Sequence, residues 1–307
     1  MNISLRHLRA FVTIANEGSF TGAADSLCVT QSTLTKTIHE LESSTGLSLF
    51  NRNTRKVFLS THGATFLPVA QRIINDFNRS IEQLRQQSIG RAGTIAIASG
   101  MAFASTVLPC VIQTMTQRHP TINATVIDDT CHGIINRIAN GHVDVGVGSY
   151  VGNATNIVSI QKLLTARLGV VFPPGYRNIP MVVSLDKIPN FPVICDMEES
   201  SIEIALKKYS PEIWMKLDRR VTVTSLDAQL SMVRHGIGVC IISALAASHP
   251  SVRDLPFRFF DTPGLQRDVY IFRSRMAPTS ATTTTFISIL EECLRETHFI
   301  EGVTLHV

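Results

Sequence analysis

The sequence holds no apolar run approaching the ~20 residues needed to span a bilayer, and its N-terminus lacks the basic-then-apolar pattern of a secretion signal. A cytoplasmic protein with no membrane partner is therefore expected. Its six cysteines (Cys28, Cys110, Cys131, Cys195, Cys240 and Cys293) are far apart and form no CxxC pair, so neither a zinc site nor a disulfide framework is expected, and most read as buried thiols. The ten histidines show no HxxxH or HExxH spacing, which leaves no metal site and no cofactor to expect. Cys131 beside His132 invites a nucleophile reading, but adjacent helical residues point apart and no third group orients them. No catalytic residue is assigned, and an enzyme is the weak alternative.

Charge is scarce in total but unevenly placed. Residues 1–93 carry ten Lys or Arg against six Asp or Glu, and residues 94–307 carry eighteen of each. The whole excess of +4 lies in the first third, as expected for a chain that holds phosphate with one end. So small an excess calls for two or more copies acting together.

Residues 19–41, SFTGAADSLCVTQSTLTKTIHEL, show where that end is. Phe20, Ala23, Ala24 and Leu27 recur at helical spacing, Val29 interrupts, and Leu34, Ile38 and Leu41 resume the period. Ser19 and Thr30 stand ahead of the two patterns as cap signals. With the apolar groups turned inward, Gln31, Ser32, Thr33, Thr35, Lys36 and His39 face outward, a set of small, amide and basic groups able to enter a major groove. The same spacing also fits a helical hairpin within any all-α core. A preceding helix carries Leu5, Leu8, Phe11, Val12 and Ala15, and Gly18 ends it. NRNTRK (51–56) reads as an exposed turn before a strand, Val57 to Leu59. There Arg52, Arg55 and Lys56 would lie along phosphate or in the minor groove, or form only a solvated charge cluster.

Thr61 can cap a new helix. From it to about Ser88, Leu67, Ala70, Ile74, Phe77, Ile81 and Leu84 recur at alternating spacings of three and four, a narrow seam suited to a partner helix on a rod of roughly 40 Å. Pro68 predicts a bend near residues 64–68. After Gly90–Gly93 the rhythm changes to apolar strands alternating with helices, the pattern of parallel sheets covered on both faces. It runs TIAIAS (94–99), ATVIDD (124–129) and VDVGVG (143–148), then restarts at RLGVVF (167–172), PVIC (192–195), RVTVT (220–224) and GVCII (238–242). DVYIF (268–272) and a helix over 281–296 complete two α/β lobes. Ligands of such lobes lie beyond the carboxyl ends of strands, where helix N-termini present amides. Ser99, Gly100, Met101 and Ala102 follow the first strand, Thr130 and Cys131 the second, and Ser200, Ser201 and Ile202 open a helix in the other lobe, with Ser149 and Thr224 as further candidates. These positions suit a small carboxylate or another anion; Ser99, Thr130 and Ser201 also fit the plain role of helix caps.

The run LRHLRAFVTIANEGSFTGAADSLCVTQSTLTKTIHELESSTGLSLFNRNTRKVFLSTHG closely resembles the winged helix-turn-helix domain of LysR-type transcriptional regulators. Ser32 replaces a proline usual in that family, which changes a groove-facing side chain. The remainder resembles the family's effector-binding domain more loosely, through GHVDVGVGS, SLDAQLSMVRHGIGVCIIS and the order of elements. The resemblance implies a fold: an all-α winged helix-turn-helix (1–60) with a linker and dimerisation helix (61–89), then an α/β two-lobed domain (90–307) similar to periplasmic solute-binding proteins. Lobe I would take about 94–164 and 266–307, and lobe II about 165–265, with the chain crossing twice. It further implies a homodimer through the linker helix, a homotetramer, an interrupted inverted-repeat operator in double-stranded DNA, contact with RNA polymerase, and a small-molecule effector in the cleft. Gly100 and Met101 depart from the Ser/Pro-type residues commoner at that turn, so the effector does not carry over. A redox-sensing regulator using Cys195 and Cys240, the pair in lobe II, is the alternative within the family.

Overall fold

The computed structural model describes residues 3–53, 56–88, 93–150, 157–176, 179–196, 200–276 and 278–307. It divides into two units, residues 1–90 with 139–142, and residues 91–138 with 143–307.

The first unit is built from α1 (Leu5–Glu17), α2 (Phe20–Ser26), α3 (Gln31–Thr45), the hairpin β1 (Phe50–Asn53) and β2 (Lys56–Leu59), and α4 (Thr61–Ser88). Each start and stop has a local cause. Ser19 accepts a bond from Gly22 N and Thr30 from Thr33 N, while Gly18 and Gly46 end α1 and α3 in the left-handed region. Leu34, Ile38 and Leu41 join Leu8, Phe11 and Ile14 in one core, and the Phe50 ring lies tilted at 5.3 Å from Phe11 and edge-on at 5.9 Å from Phe20. These rings seat the hairpin against the helices.

Helix α4 departs from its sequence reading in two ways. Ser60, not Thr61, caps it: Ser60 Oγ accepts from Gly63 N at 3.0 Å and donates to Ser48 O at 2.6 Å. The apolar seam is also divided. Ala70 and Ile74 are buried in this unit's own core and Leu67 packs on it, whereas Val69, Ile73, Phe77 and Leu84 are exposed. The first half of the period serves intramolecular packing, because α1 occupies that face, with Arg9 Nη2 donating to Asn78 Oδ1 at 3.0 Å. The helix continues across Pro68.

The second unit begins with β3 (Gly93–Ser99), α5 (Met101–Thr106), α6 (Leu108–Arg118), β4 (Ile122–Asp128), α7 (Cys131–Ala139) and β5 (Val145–Ser149). There follow β6 (Val158–Val171), β7 (Val182–Val183), β8 (Pro192–Cys195), α8 (Ser201–Tyr209), α9 (Pro211–Lys216), β9 (Asp218–Thr222), α10 (Leu226–Arg234), β10 (Val239–Ser243) and α11 (Ala244–Ala247). Last come β11 (Phe257–Phe260), β12 (Gln266–Ser274), α12 (Ala281–Glu296) and β13 (Val303–Leu305). In lobe I, β4, β3 and β5 are parallel, and β12 joins β5 antiparallel. In lobe II, β10, β8 and β9 are parallel.

A single long strand carries the chain from one lobe to the other. The first part of β6 pairs antiparallel with β12 from Val158 to Arg167, and its last residues, Leu168 to Val171, pair with β10. β12 brings the chain back, so α12 packs with α6 in the core of lobe I. The sequence pattern shows only the second half, RLGVVF, because the first half, VSIQKLLT, mixes polar and apolar residues. Gly169 is needed where β11 crosses β6, since a Cβ there would collide with Arg258 O and with the Phe257 ring. Among the described residues, no helix is long and apolar enough to cross a membrane.

The turn between α2 and α3 contains Cys28 at φ 54, the one positive-φ residue other than glycine among those described. Its side chain is exposed, so nothing in the core holds it there. Cys28→Gly is expected to raise stability by about 0.5–1 kcal/mol, the left-handed strain relieved exceeding the extra freedom gained by the unfolded chain. Denaturant unfolding of the two proteins checks this, and Cys28→Val should move the midpoint the other way.

Candidate nucleic-acid interface and effector cleft

The exposed face of α3 follows from helix geometry. Gln31, Ser32, Thr35, Lys36 and His39 fall at spacings of one, three and four, and together with Glu40 they line one shallow surface. Lys36 projects into solvent with 81% of its side chain exposed, 4.0 Å from Glu40 Oε1. Gln31 Oε1 accepts from Thr21 Oγ1 at 3.4 Å, tying the start of α3 to α2. Thr33 does not belong to this face. It lines a separate hollow with Leu5, Arg9 and Phe77, and its hydroxyl lies 2.8 Å from Thr30 Oγ1. Of the three basic residues expected on the wing, Arg52 sits on β1 with its backbone paired to Val57, Lys56 opens β2 with its backbone paired to Asn53, and Arg55 lies outside the described residues. The hairpin is aimed by a carboxylate that sequence reading missed: Glu42 Oε1 accepts from Leu49 N at 2.7 Å and from Phe50 N at 3.3 Å.

In the second unit the strand ends of both lobes open on one cleft, with a volume of about 500 Å³. Gly100, Met101, Ala102, Thr130, Cys131 and Ser149 line it from lobe I, and Ser201, Ile202 and Thr224 from lobe II. Ser99 does not: it is fully buried, on the inward face of β3, and its hydroxyl donates to Gly100 O at 3.2 Å. Alternation along a strand puts neighbours on opposite faces, and the backbone turns toward the cleft only at Gly100. Thr130 Oγ1 accepts from Gly133 N at 3.1 Å, so this hydroxyl caps α7 as well as facing the cleft. The cap of α8 is Ser200, whose Oγ accepts from Glu203 N at 3.2 Å, which leaves Ser201 for another partner.

That partner is Arg267, on β12, which sequence reading did not single out. Its Nη1 donates to Ser201 Oγ at 2.9 Å, and its Nε is buried with no hydrogen-bond partner. The side chain is hemmed in by protein while part of it opens to the cleft. Burial pulls its pKa down to about 10, with Asp196 acting in the opposite direction, so it remains a cation at neutral pH. Ser149 Oγ, on the same cleft, is likewise buried without a partner. Asp128, Asp129 and Asp196 also reach the lining, and Asp129 is engaged by Arg137 Nε at 2.5 Å. Ser200 was readable as a cap ahead of an apolar helix; Arg267 was not, since 66 residues separate it from Ser201.

The two lobe II thiols face unlike surroundings. Cys240 directs its Sγ to Gln229 Oε1 at 3.5 Å, and burial pushes its thiol far up. Burial likewise raises Cys195 to about 11. Neither is poised as a thiolate at neutral pH. Among the described residues, no group of three His, Cys, Asp or Glu side chains converges as metal ligands would.

A helix-turn-helix with an exposed polar face in one unit and a two-lobed α/β domain with an interlobe cleft in the other define a DNA-binding regulator. The description "Bacterial regulatory helix-turn-helix protein, lysR family" matches residues 5–64, and "LysR substrate binding domain" matches residues 88–295, so the chain belongs to the LysR family of transcriptional regulators. It is 26% identical over 306 residues to the probable hydrogen peroxide-inducible genes activator of Mycobacterium leprae (strain TN), covering 96% of each chain. It is 25% identical over 299 residues to the HTH-type transcriptional activator CmpR of Synechocystis sp., covering 94% of this chain and 95% of that one. Its fold is similar to that of full-length CbnR complexed with target DNA, with a TM-score of 0.63 at 17% identity, covering 96% of this chain and 100% of that one. Such relatives are regulators, not enzymes.

Removing the hydroxyl that starts α3 tests how far the exposed face depends on its cap. Thr30→Ala is expected to cost about 1 kcal/mol of stability, and Thr30→Asn to restore most of it. Chemical denaturation of both variants measures this, and equal losses in the two would contradict the capping role.

Proposed function

We propose that the protein is a cytoplasmic homodimeric or homotetrameric regulator that recognises an interrupted inverted repeat in double-stranded DNA and responds to a small anionic effector in its interlobe cleft. The observation that carries the DNA reading is the single exposed face of Gln31, Ser32, Thr35, Lys36 and His39 on a helix capped at its start. Amide and hydroxyl groups there suit base edges, and Lys36 with the helix N-terminus suits phosphate. Arg52 and Arg55 on the wing would add backbone contacts. The exposed stripe of Val69, Ile73, Phe77 and Leu84 along α4 suits the pairing of two copies, which would present two recognition helices to one duplex. Association with RNA polymerase at a neighbouring promoter completes the family role.

The effector reading is carried by Arg267, a cation with an unpartnered Nε on a cleft lined by both lobes, to which Ser149 contributes a second unpartnered group. A carboxylate or comparable anion would satisfy both groups and favour one lobe arrangement over another. Gly100, Met101, Ala102, Thr130, Cys131, Ser201, Ile202 and Thr224 would shape its site. Burial raises the Cys195 and Cys240 thiols, which disfavours the thiolates that the peroxide response named for the mycobacterial relative would draw on in this lobe.

Two measurements test these roles. Gln31→Ala should lose discrimination between operator and scrambled DNA, whereas Arg52→Ala should weaken binding to all sequences and lower the salt slope by about one. Footprinting across both DNAs at several salt concentrations decides, and equal, unselective losses would contradict the assignment. For the cleft, a panel of small carboxylates matched with their neutral amides should raise the melting midpoint only through the acids, and Arg267→Gln should abolish the shift. A shift of equal size from the amides would overturn the anionic reading.

A further inference from the structure

Two thiols that lie 183 positions apart in the sequence stand side by side in lobe I. Cys110 on α6 is partly exposed, Cys293 on α12 is buried, and their sulfurs are 3.0 Å apart, about 1 Å beyond a disulfide bond. The helices that carry them are already held together. Val111 and Met115 of α6 share one core with Phe286, Ile289 and Leu290 of α12, and Arg118 donates two bonds of 2.6 Å to Glu292. Neither cysteine is part of the cleft lining.

We propose that Cys110 and Cys293 form a reversible intramolecular disulfide when the protein meets hydrogen peroxide, fastening α12 to α6. Peroxide would transfer one oxygen to the more accessible Cys110 sulfur, giving a sulfenic acid and one water. The Cys293 sulfur then displaces the hydroxyl: the S–O bond breaks, the S–S bond forms, and the Cys293 proton leaves with the hydroxyl as a second water. Two thiols lose two electrons and one peroxide gains them. A small dithiol reverses the step by exchange. Burial raises the Cys293 thiol to about 11, so closure is slow at neutral pH and quickens as pH rises. The device is a slow fastener rather than a rapid sensor.

Its consequence follows from topology. All of lobe II lies between the two cysteines, so the bond would join the outgoing and returning segments of lobe I and restrict the unfolded chain over a very long loop. The melting midpoint should rise by roughly 5–15 °C. Full-length protein is treated with hydrogen peroxide, alkylated with iodoacetamide and digested without reductant for mass spectrometry. The expected result is a peptide pair joined through Cys110 and Cys293, a mass lower by two hydrogens, a raised midpoint, and reversal of all three by dithiothreitol. Cys110→Ser, at the partly exposed position, should fold as the parent does and show none of these changes; Cys293→Ala should behave alike. The proposal is overturned if both thiols remain open to alkylation after a dose that fully oxidises glutathione. A bond between different chains, or Cys110 ending as a sulfinate without a bond, overturns it too.

Discussion

The antiparallel pairing of β6 with β12 is the constraint on which the effector domain depends. One strand leaves lobe I and the other returns to it, so lobe I is assembled from two stretches of chain with lobe II inserted between them. Neither stretch has a complete core alone. Ile95, Ile97 and Phe103 from the first are covered by Phe286, Ile289 and Leu290 from the second, and burying such side chains contributes about 1.5–3 kcal/mol each. The cleft, the arrival of Arg267 beside Ser201, and the meeting of Cys110 with Cys293 all follow from that return crossing.

The DNA-binding unit rests on a simpler principle. Its helices are short, so their stability comes from a shared aromatic and aliphatic core rather than from helix propensity. Phe11 and Phe50 fix α1 against the hairpin, while Leu34, Ile38 and Leu41 fix α3 and thereby its opposite face. Once the inward side is set, the outward identity of Gln31, Lys36 and His39 is open to vary without unfolding the unit. That separation lets one fold serve many operators.

Local signals in the sequence carried far. The caps Ser19 and Thr30, the terminating glycine Gly18 and the final helix over 281–296 are present in the structure as read, and the outward face of α3 differs from its reading at Thr33. Each depends on neighbours within a few residues. Where the reading fell short, the cause was distance. Spacing alone puts Thr33 outward and does not show that it lines a hollow with Leu5 and Phe77. The α4 seam was given wholly to a partner because α1, some 60 positions earlier, is invisible to periodicity. Ser99 was included because a strand end was located without knowing which residue makes the turn. Arg267 and the cysteine pair were missed because strand return, not spacing, brings them to their partners. For the site, then, the lining hydroxyls were legible as helix starts, and the charged anchor was not.

The most direct trial of the central claim is selection from random duplex DNA by the purified full-length protein, followed by sequencing of the retained fraction. A regulator presenting two copies of α3 to one duplex predicts enrichment of an interrupted inverted repeat whose half-sites keep a fixed separation. Recovery of no common sequence, or of one half-site without its mate, would contradict it.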